Sequence, residues 1–156
     1  MLFAPLKYIH LLAVILWLGG MAFSHFFLRP AAQTLEPAAR VQLMHAVLKR
    51  FFAAMLVTIA VVLLSGAGMV ASVYHMAAQA GLQFQMPLSW HVMAALGLVM
   101  AGIFGHIRFA LFKRLDRAVQ AGDWPAGGKA LASIRVWVAA NLALGVAIIT
   151  ALRLAL

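Results

Sequence analysis

The chain has 156 residues, 66% of them hydrophobic and 10% charged, with a mean hydropathy of +1.02 and a formal net charge of +9. A soluble domain is about half apolar and about a quarter charged, so this composition excludes a soluble globule and a disordered chain. Its only acids are Glu36, Asp116 and Asp123 and it has no cysteine, which argues against carboxylate hydrolases and excludes thiolate metal sites and disulfides. The excess positive charge belongs beside buried helices, and no nucleic-acid partner is expected.

Four charge-free runs follow in chain order: Tyr8 to Leu28, Phe51 to Met76, Pro87 to Ile107 and Val136 to Leu152. A helix rising about 1.5 Å per residue needs roughly 17–25 apolar residues to cross a hydrocarbon core of about 30 Å. Unpaired backbone amides are not tolerated in lipid, so each run is expected to be an α-helix. No period-two alternation is present, which argues against a β-barrel. The expected fold is all-α: a transmembrane four-helix up-and-down bundle forming one domain over 1–156, with spans at about 5–28, 51–75, 88–112 and 134–154. The first run is too long for a signal peptide and no small-x-small site follows it, so it is expected to remain.

Within the first connection, Pro37 opens an expected short amphipathic helix, with Val41, Met44 and Leu48 at helical spacing, lying on the membrane surface and leading into span two. Gly122, Pro125, Gly127 and Gly128 mark an expected turn before span four. The glycines within the spans, among them Gly20, Gly66, Gly68, Gly97, Gly102, Gly105 and Gly145, are expected to let helices approach closely, with Ala101 and Gly105 as one small-xxx-small pair. Asn141, an amide inside span four, is expected to hydrogen-bond between helices, and Ser65 to bond its own helix backbone.

Arg29, Arg40, Lys49 and Arg50 fall in the first connection, and Arg108, Lys113, Arg114, Arg117, Lys129 and Arg135 in or beside the third. Lys7 and Arg153 are the two cations at the other end. The positive-inside rule then puts connections one and three in the cytoplasm and both termini outside.

Six histidines are the groups best able to do chemistry. His10 and His25 on span one, and His91 and His106 on span three, are each fifteen residues apart. In a uniform helix that spacing gives a face offset of about 60° and an axial separation of about 22 Å. Both spans run the same way, so His10 is expected level with His91, and His25 level with His106. His75 joins the outer layer and His45 the inner one, making two tiers of three imidazoles. Facing imidazoles suit the axial positions of b-type haem. The outer Met69, Met76, Met86 and Met93, with His75 and His91, suit Cu(I). Lys7, Arg108 and Arg153 are candidates to hold a haem propionate or another anion.

The opening Lys7-Tyr8-Ile9-His10, followed by Trp17-Leu18-Gly19-Gly20, resembles that of the copper resistance protein D (CopD) family and is similar to that of HemJ-type protoporphyrinogen oxidases. The resemblance continues through Leu64-Ser65-Gly66, Trp90-His91 and the basic stretch after His106. The CopD resemblance implies an inner-membrane protein of copper uptake or tolerance, working beside a periplasmic copper carrier. The HemJ resemblance implies haem b and porphyrinogen oxidation. Met93 stands where the HemJ pattern has a lysine, and Leu142 follows Asn141 where that pattern has glutamate, which favours the CopD likeness.

Three readings follow. The first is a CopD-like membrane redox protein with haem b, held by His10 and His91 outside and His25 and His106 inside and served by a membrane electron donor. The second is a Cu(I) permease drawing on His10, His25, His45, His75, His91, His106, Met76, Met86 and Met93; a channel of four helices would call for a homodimer. The third is a cofactor-free structural or assembly subunit whose partners are the bilayer and other chains.

Overall fold

The computed structural model describes residues 2–154, with side chains through residue 151. Among these residues there is helix and connection and no strand. Six α-helices run α1 (Phe3–Phe23), α2 (Arg29–Ala32), α3 (Pro37–Gln79), α4 (Leu88–His106), α5 (Phe112–Gln120) and α6 (Trp124–Leu154). Single π turns, Ser24–Leu28 and Ile107–Leu111, join α1 to α2 and α4 to α5 without breaking either rod. Four helical rods are therefore long and apolar enough to cross a membrane.

The surface helix expected at Pro37 is not a separate element. It is the first third of α3, which runs unbroken for 43 residues, about 65 Å at helical rise. Its apolar stripe does not face lipid: Val41, Met44 and Leu48 are buried. The physical reason is a competing surface, because α5 and the start of α6 lie beside it and cover that stripe. Gly127 makes the approach possible, since a Cβ there would stand 2.7 Å from Val41 Cγ1. The turn before span four is correspondingly tighter than expected. Gly122, at φ +66°, ends α5, with Gly122 N–H bonded to Val119 O and Asp123 N–H to Ala118 O. Asp123 Oδ1 then accepts the Ala126 N–H at 2.9 Å and caps α6. Pro125, Gly127 and Gly128 are therefore in the first turns of α6.

Helices in lipid gain little from burying apolar surface against each other, so close packing must hold them together. α1 lies along α3, and α6 touches α1, α3, α4 and α5. Gly20 admits the Phe51 ring, Gly68 admits Leu6, and Gly145 admits Leu18 and Met100. Gly97, Gly102 and Gly105 face open space instead, so the Ala101/Gly105 pair is not a packing seam within this chain. An aromatic layer joins Phe52 edge-on to Phe104 and Phe112. Burial is concentrated from the middle of the spans to the basic end: nothing on α1 before Ala13, on α3 after Ser65 or on α4 before Met100 is buried.

Candidate functional site

His10 sits in the α1/α3 seam, half-buried, with its Nδ1 3.0 Å from Val62 O and 3.0 Å from Ser65 Oγ. Ser65 spends its own proton on the α3 backbone, donating to Val61 O and Val62 O, as expected, and also meets the histidine. A carbonyl only accepts, so Nδ1 carries the ring proton and donates to Val62 O and Ser65 Oγ. Nε2 keeps its lone pair. This is how proteins orient a ligating imidazole, with the second nitrogen anchored to backbone. Gly66 completes the seat, because a Cβ there would stand 3.4 Å from His10 Cε1.

The other histidines have separate fates. His91 is exposed, with Nδ1 3.2 Å from Pro87 O in its own first turn. His75 is exposed near the end of α3 beside Tyr74. His45 Nε2–H donates to Asp116 Oδ1 at 2.8 Å, and its ring stacks on Phe112 at 5.4 Å. His25 lies in the first π turn and lines a cavity bounded by that turn, α2, α3 and α6. His106 is exposed and packs against Trp137 of α6, ring centroids 5.0 Å apart.

The expected two tiers of three imidazoles are not assembled: among the described residues no three histidine or acidic side chains gather as a metal group. The reasons are local. His10 is claimed by α3, and His45 by Asp116. His25 shares its cavities with Arg135, Ala139 and Leu142, whereas His106 meets Trp137. At about 100° per residue these positions lie roughly 140–200° around α6 from Trp137, so α6 stands between the two histidines. The π turns also upset the uniform-helix arithmetic near His25 and His106, since each widens the helix locally.

Of the other candidates, Lys7 and Met76 are exposed, and Met86 and Met93 are partly covered at the end away from the basic connections. Arg108 stacks over Phe109 and Phe112, at 5.7 and 5.3 Å, and its buried Nε has no partner. The side chain of Arg153 lies outside the described residues. Asn141 is 1% exposed and its Oδ1 has no hydrogen-bond partner, so the expected interhelical bond to that oxygen is absent. Sequence reasoning missed the grouping of Arg29, Arg40 and Arg135 around one cavity. They had been legible only as charges on one side of the membrane.

A family model described as copper resistance protein D, CopD, matches residues 44–155. The chain belongs to the CopD family. The matched region takes in α4 to α6 and all of α3 but its first turns, and leaves out the Lys-x-x-His and Trp-x-Gly-Gly opening, so membership rests on different residues from that motif. No match is found among curated proteins or among solved structures. With its four apolar rods, this CopD-family chain is a multi-pass protein of the bacterial inner membrane, linked to copper resistance by its family.

Proposed function

We propose that this chain handles Cu(I) at the inner membrane, as an uptake or permease protein, with His10 Nε2 as an entry ligand. The observation that carries the reading is the His10 seat. Val62 O and Ser65 fix the tautomer and leave one nitrogen free in a half-buried position. Met69 lies one turn beyond Ser65 on the same face of α3. An imidazole beside a thioether is a donor set that suits Cu(I), and the chain has no thiolate to compete. Met76, Met86, Met93, His75 and His91 belong to the same end of the bundle and would gather the ion before His10. That end faces the periplasm if the basic connections lie inside, where a copper carrier would deliver its cargo. A second copy of the chain would supply the remaining wall of a conduction path.

Copper fits better than the bis-histidine haem b expected from the sequence, because His91, the second histidine of that pair, is exposed and turned to its own helix backbone. The test is the detergent-purified protein, measured for copper content and for its absorption spectrum before and after dithionite. Stoichiometric copper in a colourless protein, lost in His10→Ala, is the expected outcome. A Soret band with a sharpened reduced α band would overturn the copper reading in favour of haem.

A further inference from the structure

Two cavities meet at His25. The first, about 250 Å³, lies at the basic end, and its polar lining includes Ser24, His25, Arg29, Gln33, Arg40 and Arg135. The second, about 790 Å³, is an open groove running from Ala22, His25 and Phe26 along α6. Its floor on α6 is Ala139, Ala143, Ala147 and Ala151, spaced every fourth residue along one ridge. Arg135 is one turn below Ala139, so a single helix face carries a cation at its head and a smooth apolar channel behind it.

The first cavity holds three guanidinium groups and no carboxylate among its lining residues. Arg40 and Arg135 both act on Arg29 through charge. Among the described residues the ion pair found is His45 with Asp116, which leaves the three arginines unneutralised by protein. Gathering like charges is unfavourable unless an anion sits between them, and guanidinium forks match phosphate oxygens. The groove adds the second half of the ligand. It leads from the cation cluster toward the middle of the bundle, as an acyl chain hangs from a headgroup, and basic pockets between helices at the cytoplasmic side suit acidic lipid headgroups.

We propose that this face is a site for one anionic phospholipid. The lipid phosphate lies among Arg29, Arg40 and Arg135, with His25 at the junction and one acyl chain along the alanine ridge of α6. A free phosphate shares the headgroup chemistry and lacks the chain, which makes the two sources separable.

The experiment is native mass spectrometry of the full chain in mild detergent, titrated with dioleoyl phosphatidylglycerol, with dioleoyl phosphatidylcholine, and with inorganic phosphate as competitor. The expected result is a phosphatidylglycerol adduct at about tenfold lower concentration than the phosphatidylcholine adduct, the scale of one to two charge contacts. Arg40→Gln with Arg135→Gln should remove that preference, and Lys129→Gln, an exposed cation outside the cavity, should keep it. Ala143→Phe should weaken both lipids by filling the groove while leaving the arginines in place. It serves as the independent arm should the arginine variants lose their melting transition. Equal affinity for the two lipids in the unmodified chain would overturn the proposal. So would a preference that survives in the folded arginine variant, or unchanged lipid binding in Ala143→Phe. Displacement of phosphatidylglycerol by inorganic phosphate at comparable concentration would overturn the lipid assignment and make this a free-anion site.

Discussion

The Val62 carbonyl accepts and cannot donate, so its contact with His10 sets the ring tautomer. Ser65 shares that proton, and its loss should loosen the ring without removing the ligand. Ser65→Ala is therefore expected to weaken copper retention about tenfold, the scale of a lost supporting hydrogen bond around a ligating histidine, against complete loss in His10→Ala. Dialysis against a Cu(I) chelator, followed by metal analysis, measures both. The glycines make a second prediction at this scale. A side chain at Gly145 would run into Leu18 and Met100, whereas Gly97 has nothing within 4 Å. Gly145→Leu should cost about 1–3 kcal/mol through overpacking, and Gly97→Leu much less. Thermal unfolding in detergent, compared between the two, decides it. Composition alone does not rank these glycines, since both lie in apolar spans.

At the scale of elements, α3 is the organising rod. Its 43 residues exceed what the bilayer needs, and the surplus forms a layer with α5 and the start of α6 beyond the membrane. The His45–Asp116 contact ties that layer together, with Gln120 Nε2–H donating to the other carboxylate oxygen at 3.0 Å. Asp116→Ala should cost about 1 kcal/mol and speed amide exchange over 37–50 while leaving the spans protected. Hydrogen exchange with mass spectrometry reads this segment by segment. An unchanged 37–50 stretch would show that apolar burial of Val41, Met44 and Leu48 holds it without help. The sequence pattern revealed the stripe but not its cover, because a basic amphipathic helix looks the same whether lipid or protein takes its apolar face.

Over the whole molecule, charge and packing are both lopsided. Ten of the twelve basic residues lie in or beside connections one and three, and the buried layer thickens toward that same end. The charge asymmetry predicts that a periplasm-active reporter fused after Leu156 is active and a cytoplasm-only reporter there is silent. The reverse result would invert the proposed direction of copper entry. The packing asymmetry leaves His10 and Met69 toward the loosely closed end and the arginine cavity at the closed end.

The number and class of the spans were already legible in the sequence, as was the gathering of basic residues in connections one and three. Hydropathy sums over about twenty residues, and no tertiary contact can make such a stretch tolerate water. Partnerships between side chains were not. Six histidines at suggestive spacings became one oriented imidazole, one latch to Asp116, one cavity wall and three exposed rings. Only tertiary structure decides this, because a partner depends on how helices rotate about their axes. Rotation is set by small residues at contacts and by a single π turn, whose effect on direction is large and whose trace in composition is nil.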